Sequence, residues 1–300
     1  MNEIVRVSDE VSRALQARRA VVALETTLVA HGFPAGAGLD VALECEERVR
    51  AAGAVPAATG VVDGLVRVGL GREELERFAA AGDAAAKVGP RDLAAAVARG
   101  GLGATTIGGT LATCRAAGIG FMGTGGLGGV HRGFAETLDI SADLGELART
   151  QAVVVASGAK SLLDVAATAE VLESLGVPVL GFRTDTLPRF YEAAGGPPVS
   201  SRVESAAEAA RIASLHWRLG RHSGVVVANP PAESLDVEPL IAEAVALAHE
   251  RGIRGQDVTP FVLSHLHEAS GGRTVEVNRR LIADNAALTA EVAVAYSRMA

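Results

Sequence analysis

Lys160 occupies a position in which a lysine can act as a nucleophile. It stands in Gly158-Ala-Lys160-Ser161, directly after an apolar run at 153–156 that is typical of a strand and before a helical pattern at 161–175. A helix N-terminus is electropositive and lowers the pKa of a nearby amine, and Schiff-base chemistry with a sugar aldehyde requires such an amine. The alternative is a solvated lysine that covers the helix end.

Lys87 and Glu25 are further candidates because both stand among apolar residues. Lys87 follows three alanines, and Glu25 interrupts the apolar run from Val21 to Leu28. The positive charge of the chain is mostly arginine, and lysine, unlike arginine, has a pKa that a protein can tune. Burial would raise the pKa of the Glu25 carboxyl and favour a general acid. The alternatives stay open: Lys87 would then be an ordinary surface lysine, and Glu25 a carboxylate that faces outward from an edge strand.

The segment Asp139-Ile-Ser-Ala-Asp143-Leu carries two carboxylates four residues apart, which a helix would place on one face. Oxygen ligands with few histidines nearby suit Mg²⁺ or Mn²⁺ rather than Zn²⁺. Ser141 or Asp143 is also a candidate N-cap for a helix at 144–149. The segment therefore predicts either a metal ligand or a helix cap.

The C-terminal part of the chain carries amides on a predicted helix. Asn278 and Asn285 are seven residues apart, so they share one face. Either one, if it faces a crevice, would suit recognition of a base edge or a carbonyl group.

Thirteen of the 35 glycines lie between Gly100 and Gly133. Within this stretch Gly123-Thr-Gly125-Gly-Leu-Gly128 matches G-x-G-x-x-G, yet no helical pattern follows before about residue 143, which disfavours a dinucleotide site. A flexible surface turn is one interpretation. The other is an anion-binding loop of exposed N–H groups, to which three nearby side chains add donors for a phosphate: Thr124, His131 and Arg132.

Short apolar runs alternate with amphipathic helical patterns along the chain. The predicted strands are 21–28, 57–62, 104–107, 119–122, 152–156, 177–182 and 225–228. The predicted helices are 39–52, 73–81, 90–99, 161–175, 204–219, 239–251, 259–269 and 274–299. Continuous apolar strands that alternate with helices indicate a mainly parallel sheet buried on both faces. We therefore predict one catalytic α/β domain over residues 1–300, an α-β-α sandwich with a helical C-terminal layer.

The composition excludes several classes of protein. The 300 residues include 28 Lys+Arg and 35 Asp+Glu, a net charge of −7, which disfavours a nucleic-acid partner bound by general electrostatic attraction. No apolar run approaches the roughly 20 residues of a membrane span. Cys45 and Cys114 stand far apart without C-x-x-C, so neither a disulfide framework nor a zinc site is indicated. With a charged N-terminal segment, these features predict a soluble, cytoplasmic protein.

The ordered set of motifs resembles the pseudouridine-5′-phosphate glycosidase family from about residue 8 to the C-terminus. The motifs are Ala23-Leu-Glu25-Thr-Thr-Leu with His31-Gly-Phe-Pro34, Ala-Thr59-Gly-Val-Val, Lys87-Val-Gly, Thr124-Gly-Gly-Leu-Gly-Gly-Val-His131-Arg-Gly, Asp139-Ile-Ser-Ala-Asp143-Leu, Ser157-Gly-Ala-Lys160-Ser-Leu-Leu-Asp164, Gly-Val-Pro178-Val, Val-Ala-Asn229-Pro and Thr259-Pro-Phe261. The resemblance implies a Mn²⁺-using, homotrimeric enzyme that reversibly cleaves pseudouridine 5′-phosphate to uracil and ribose 5-phosphate through a covalent lysine Schiff base.

The resemblance also implies roles for individual residues. Glu25 is the proton donor, Lys160 the nucleophile and Asp139 the metal ligand. The implied substrate-binding residues are Lys87, Ile107, Ser141, Ala142 and Asp143, with Thr124 and His131 assigned to the phosphate or ring region and Asn285 to the base. A Schiff-base lyase acting on another sugar phosphate, a non-catalytic nucleotide-binding protein and a role in pigment biosynthesis stay open as alternatives.

Overall fold

The computed structural model describes residues 3–34, 36–253 and 258–299. The side chains of Thr259 and Pro260, two members of the Thr259-Pro-Phe261 motif, lie outside the described part. The strands, in chain order, are β1 (Val5–Val7), β2 (Val21–Leu24), β3 (Val55–Val62), β4 (Leu65–Val68), β5 (Ala86–Val88), β6 (Leu102–Thr105), β7 (Phe121–Gly123), β8 (Val130–His131), β9 (Val153–Ala156), β10 (Leu163–Asp164), β11 (Val179–Phe182), β12 (Ser201–Val203) and β13 (Val225–Ala228).

The main sheet runs in the order β1-β4-β3-β2-β7-β9-β13-β11-β12. From β3 to β12 every neighbouring pair is parallel. The long strand β3 also pairs antiparallel with β4 and β6, and β6 pairs in parallel with β5. The central strands β2, β9 and β13 are buried along their whole length, as their uninterrupted apolar sequence predicts. The short strands β8 and β10 form a separate antiparallel pair.

Helices cover both faces of this sheet. In chain order they are α1 (Asp9–Gln16), α2 (Thr27–His31), α3 (Ala37–Ala51), α4 (Arg72–Ala81), α5 (Leu93–Arg99), α6 (Ile107–Ala117), α7 (Phe134–Thr137), α8 (Ala142–Leu147), α9 (Val165–Ser174), α10 (Ala206–Arg218), α11 (Glu238–Glu250), α12 (Val258–Ala269) and α13 (Arg273–Ser297). The long helix α13 packs against β7, β9 and β2 and against α3 and α10, whereas α6 packs against α8. The α-β-α arrangement predicted from the sequence is confirmed.

Each predicted strand and helix is present, with ends shifted by a few residues, but several local expectations are wrong. The strand expected at 21–28 ends at Leu24 because α2 begins at Thr27. The helix expected at 90–99 begins at Leu93 after Asp92, so Pro90 is not its first residue. Helix α6 replaces the end of the strand expected at 104–107, because Thr106 caps the helix through a bond from the Gly109 N–H.

Three neighbouring parallel strands bring the candidate residues to one edge of the sheet. Strand β2 ends directly before Glu25, β7 directly before Thr124, and β9 four residues before Lys160. In open α/β sheets the carboxyl ends of the strands line the ligand crevice. None of the helices within the described residues combines the length and the apolar character needed to cross a bilayer.

Candidate active site

The cavity at this edge has two lobes that meet at four residues: Glu25, Thr27, Lys87 and Lys160. One, the apolar lobe, is further lined mainly by Leu28, His31, Leu162, Phe190, Leu263, Leu266, Asn278 and Ile282. The other, the polar lobe, is further lined mainly by Arg91, Thr106, Ile107, His131, Asp139, Ser141, Ala142 and Asp143. Both lobes open to solvent, and their different linings suit a ligand with two chemically different ends.

The chain contains two lysines, and both line the junction of these lobes. Lys87 lies on the short strand β5 and is exposed towards the cavity mouth, whereas Lys160 is half-buried. A chain that otherwise uses arginine for its positive charge therefore puts both of its tunable amines in one place. The sequence interpretation of Lys87 as more than an ordinary surface residue gains support from this position.

Glu25 is held by a partner from the neighbouring strand end. Thr124 Oγ1 donates to Glu25 Oε1 at 2.5 Å. Burial raises the pKa of the Glu25 carboxyl, and the charges of Lys160 and Lys87 and the Thr124 bond oppose this rise only in part. The carboxyl therefore keeps its proton to a higher pH than a solvated glutamate does, which suits a proton donor.

The loop that carries Lys160 is fixed by the glycine loop beside it. The Lys160 N–H donates to Leu127 O at 3.0 Å, and the Leu127 N–H donates to Gly158 O at 2.9 Å. Gly158 has φ +75°, and a Cβ there would lie 1.8 Å from Pro188 O, so only glycine fits. The backbone around Lys160 is thus set by packing.

The helix that was expected to begin at Ser161 begins four residues later, at Val165. Its N-cap is Asp164, whose side chain accepts from the Ala167 N–H, and β10 intervenes before it. Lys160 therefore does not stand in the first turn of a helix. The argument that a helix N-terminus tunes its amine is wrong, although its position beyond a strand end is as predicted.

The glycine loop at 124–130 is buried and not an exposed anion nest. The N–H groups of Thr124, Leu127, Gly128 and Val130 donate to Val155 O, Gly158 O, Asp143 Oδ2 and Thr168 Oγ1, respectively. A Cβ on Gly128 would lie 2.2 Å from Ser141 Oγ. The glycines allow close packing of the loops around the cavity, so the anion-nest interpretation is wrong. The side chain of Thr124 donates to Glu25, and that of Arg132 donates to Glu238.

Asp143 joins two walls of the polar lobe. Its carboxylate accepts from the Gly108 N–H at 2.8 Å and from the Gly128 N–H at 3.1 Å. Ser141 accepts from the Asp143 N–H and caps α8, as one of the sequence interpretations predicts. Because Asp139 precedes this helix, the expectation that both aspartates share one helical face is wrong. The Ile107 side chain is buried in the core, so this residue can offer the lobe only its backbone.

Asp139 and His131 lie together on the rim of the polar lobe. Asp139 Oδ2 is 3.8 Å from His131 Nδ1, and the two side chains are 37% and 20% exposed. Burial lowers the pKa of the His131 imidazole, which keeps its nitrogens available as ligands. Among the described residues no group of three His, Cys, Asp or Glu side chains converges on a metal position. A divalent cation here would complete its shell with water and substrate oxygens, a mode common for Mg²⁺ and similar cations.

The apolar lobe contains one buried amide. Asn278 is 4% exposed, and its Oδ1 accepts no hydrogen bond within the described residues. Phe190 forms part of the wall and meets the Tyr191 ring edge to face, with centroids 4.7 Å apart. A flat ring with polar edges would stack on such a wall and pair with the free amide oxygen.

Asn285, which the resemblance assigns to the base, lies behind the glycine loop instead. Its Nδ2 donates to Thr124 O at 2.8 Å and to Ser157 Oγ at 3.1 Å, and its Oδ1 accepts from Asn229 Nδ2 at 2.9 Å. It is fully buried and does not line the cavity. The assignment of Asn285 to the base stays a prediction from the resemblance, whereas Asn278, two helical turns earlier on the same face, lines the lobe directly.

The sequence reasoning missed the residues that form the walls of the apolar lobe. Phe190 has φ +61°, uncommon for a bulky residue, but a sequence does not display such a conformation. Leu263 and Leu266 come from α12, far along the chain, and their spacing is that of any amphipathic helix. The sequence does contain one signal for this wall: Phe190 and Tyr191 are adjacent in a chain with only 3% aromatic residues.

A mainly parallel sheet flanked by helices, with two lysines and a buried carboxylic acid between an apolar and a polar lobe, defines this protein as an α/β enzyme. The family model described as Indigoidine synthase A like protein matches residues 10–295. The chain belongs to this family.

Individual relatives agree over nearly the whole length. A protein of Sorangium cellulosum (strain So ce56) named pseudouridine-5′-phosphate glycosidase is 46% identical over 298 residues, 98% of this chain and 94% of that protein. The crystal structure of the prealnumycin C-glycosynthase AlnA in complex with ribulose 5-phosphate has a TM-score of 0.92 and 41% identity, and covers 100% of this chain and 99% of that chain. An indigoidine synthase A-like protein from Thermotoga maritima has a TM-score of 0.89 and 35% identity, with 98% and 97% covered. The family resemblance seen in the motifs is confirmed.

Proposed function

We propose that this chain is a pseudouridine-5′-phosphate glycosidase, an enzyme that reversibly cleaves the carbon–carbon glycosidic bond to give uracil and ribose 5-phosphate. The observation that carries the proposal is the junction of the two lobes, where Glu25, Lys87 and Lys160 meet. Relatives that match this chain over nearly its full length bear this name. The bound ribulose 5-phosphate of the related C-glycosynthase supports a pentose phosphate as the sugar component.

The two lobes divide the substrate between them. The base occupies the apolar lobe, against Phe190 and within reach of the unpaired Asn278 amide oxygen, which suits a ring N–H donor. The ribose phosphate occupies the polar lobe, where Lys87 and Arg91 offer positive charge and donors for the phosphate. The glycosidic carbons then lie at the junction, beside Lys160 and Glu25.

A carbon–carbon bond demands a different chemistry from that of ordinary glycosidases. Those enzymes pair two carboxylates and protonate a leaving heteroatom through an oxocarbenium-like state. The uracil C5 leaving group is carbon, so its departure needs a protonated ring carbon and an electron pair that pushes from C1′. A lysine amine on C1′ supplies that pair, and a single buried acid supplies the proton.

The Lys160 amine forms a bond to C1′ as the C1′–O4′ bond breaks, and the resulting secondary ammonium passes a proton to O4′, which restores the nitrogen lone pair. Glu25 then transfers its proton to uracil C5. The nitrogen lone pair then forms a C1′=N bond while the electron pair of the C1′–C5 bond returns to the uracil ring. Water adds to the imine, and its hydrolysis releases ribose 5-phosphate and the free amine.

We place the metal at Asp139, with His131 beside it, and take Mn²⁺ as the ion that the family resemblance implies. When bound, such an ion supplies positive charge to substrate oxygens in the polar lobe. A homotrimeric assembly and a cytoplasmic location stay predictions from the sequence, and light scattering of the purified protein tests the first.

The decisive experiment mixes uracil and ribose 5-phosphate with the enzyme and Mn²⁺ and measures pseudouridine 5′-phosphate. The proposal expects product that depends on both substrates. A lysine adduct with ribose 5-phosphate but no nucleotide product would instead favour a Schiff-base lyase that acts on another sugar phosphate. Binding of pseudouridine 5′-phosphate without turnover in either direction would favour a nucleotide-binding protein.

A further inference from the structure

Arg132, considered above as a phosphate donor, points away from the polar lobe and holds two other segments. Its Nη2 donates to the carbonyl oxygen of Ser161, the residue after Lys160, at 2.9 Å. The same guanidinium forms two parallel bonds to Glu238, from Nη1 to Oε1 at 2.6 Å and from Nη2 to Oε2 at 2.9 Å. One side chain, on the residue that directly follows β8, thus connects the peptide of the lysine loop with the first residue of α11.

The segment that Arg132 reaches belongs to the cover of the apolar lobe. Helix α11 packs against α12, and Leu263 and Leu266 of α12 line that lobe. The chain before α11 is itself anchored at the lobe, because the Leu235 N–H donates to the carbonyl oxygen of Tyr191 at 2.8 Å. Glu238 is therefore the first residue of a helix that packs on the cover of the apolar lobe.

The ion pair is not an important source of folding stability. The Arg132 and Glu238 side chains are 33% and 43% exposed, and partly exposed pairs contribute little to the free energy of unfolding. The fork geometry of arginine, however, fixes orientation, because its parallel donors match a carboxylate and its spare hydrogen reaches a carbonyl. A lysine at this position would keep the charge but lose this three-way connection.

We propose that Arg132 is a positioning residue. It holds the Lys160 loop at a fixed position relative to α11 and α12, which cover the apolar lobe, and thereby aligns the amine with C1′. The inference rests on the proposed role of Lys160 as the nucleophile. A displacement of about 1 Å at a reacting atom is enough to cost a large factor in rate. The connection acts on the geometry of covalent attack and leaves the binding of ribose 5-phosphate in the polar lobe unchanged.

The test measures how fast borohydride traps ribose 5-phosphate on Lys160 at saturating sugar phosphate, with the labelled peptide identified by mass spectrometry. The variants are Arg132→Gln, Arg132→Lys, Glu238→Gln and the double variant Arg132→Gln/Glu238→Gln. Arg77→Gln is the matched control, since Arg77 forms a similar two-bond pair with Asp63 at 2.9 and 3.0 Å on the surface. The melting temperature of each variant is measured in parallel.

We expect Arg132→Gln to slow trapping about tenfold or more, with a melting temperature close to that of the Arg77→Gln control and an unchanged affinity for ribose 5-phosphate. Arg132→Lys should also trap slowly, and the double variant should be no slower than Arg132→Gln, because both changes break one connection. If Arg132→Gln fails to fold, Arg132→Lys carries the test alone. Trapping at the wild-type rate in the folded arginine variants, or equal slowing in the control, would overturn the inference.

The same experiment separates this inference from the proposed function. If the wild-type enzyme gives no adduct on Lys160, the proposed nucleophile is wrong and the positioning role falls with it. If the wild-type enzyme is labelled and the arginine variants are labelled equally fast, only the role of Arg132 is wrong.

Discussion

The two lobes of the cavity are built in different ways. The polar lobe is formed mainly by short stretches of sequence, at 87–92, 106–107 and 139–143, each of which contributes several neighbouring residues. The apolar lobe is formed by side chains from α2, the segment after β11, α12 and α13, which are far apart in sequence. The first lobe presents charges and backbone groups, and the second presents a hydrophobic wall with one buried amide.

This difference shows how the enzyme can handle a substrate with unlike ends. A phosphorylated sugar needs donors and charge, whereas a nucleobase needs a flat apolar surface and a few matched polar contacts. The covalent chemistry that we propose belongs to neither lobe but to their junction, where Glu25 and Lys160 lie. Changes in either lobe should therefore affect the binding of one component, and changes at Glu25 or Lys160 should affect turnover.

Replacement of Lys160 should produce the largest effect. We expect Lys160→Gln to reduce turnover by at least about 10³-fold, because removal of a covalent nucleophile abolishes the route that depends on it. Ribose 5-phosphate should still bind in the polar lobe, as calorimetry can measure. The matched control is Lys87→Gln, which should raise KM for the sugar phosphate while leaving turnover measurable. Similar rates for the two variants would contradict the division of roles.

Glu25→Gln should reduce turnover by about 10²- to 10⁴-fold, the range typical of a lost acid–base catalyst. Because burial raises the pKa of Glu25, its proton is present at low pH and is lost as the pH rises through that value. Cleavage should therefore decline at higher pH. Because the overall reaction neither takes up nor releases a proton, kcat/KM for synthesis should decline with pH in the same way. A wild-type profile without this decline, or the same decline in Glu25→Gln, would refute this role.

Asp139→Asn should act on the polar lobe alone. We expect the concentration of Mn²⁺ required for half-maximal activity to rise by about tenfold or more, since a charged oxygen ligand is lost from a site with few protein donors. Activity at saturating Mn²⁺ should recover in part. An unchanged metal titration would exclude Asp139 as the ligand. His131→Gln serves as the comparison and should shift the titration less.

Asn278→Ala should act on the apolar lobe alone. We expect KM for uracil to rise about tenfold, because the loss of one hydrogen bond costs about 1.4 kcal/mol of binding free energy. The affinity for ribose 5-phosphate should stay unchanged. Asn285→Ala is the contrasting variant on the same helix. It should lower the stability of the fold by about 2 kcal/mol instead, because it leaves buried partners such as Thr124 O without a donor. A rise in uracil KM for Asn285→Ala alone would reverse the two assignments.

The same contrast between the lobes explains what could be predicted from the sequence. The central strands could be predicted because buried parallel strands are continuous apolar runs, and β13 coincides with its predicted range of 225–228. Glu25, Lys87 and Lys160 could be singled out because a charged group among small apolar residues demands a reason. Glu25 and Lys160 follow the ends of parallel strands, which the sheet brings together, and Lys87 on β5 reaches the same place.

The rest depended on tertiary contacts that no local pattern displays. Asn278 and Asn285 share one face of one helix, and only the packing of α13 against β7 and β9 decides which faces the cavity. The segment 123–133 is rich in glycine because neighbouring loops pack closely against it, as Ser141 does at Gly128. A sequence does not show whether glycines serve such packing or expose N–H groups. The sequence pattern predicts that the helix after Lys160 begins at Ser161, but α9 begins at Val165. The two-residue strand β10, which lies between them, is too short to show in a sequence pattern.

The central claim is that Lys160 forms the covalent bond to the sugar. The most direct test reduces the enzyme with borohydride in the presence of ribose 5-phosphate and maps the modified peptide by mass spectrometry. Since the chain has two lysines, both at the junction, the outcome is unambiguous. We predict a pentitol phosphate adduct on Lys160, absent when sugar phosphate is omitted. An adduct on Lys87 with Lys160 unmodified, or no adduct under conditions that yield product, would contradict the account.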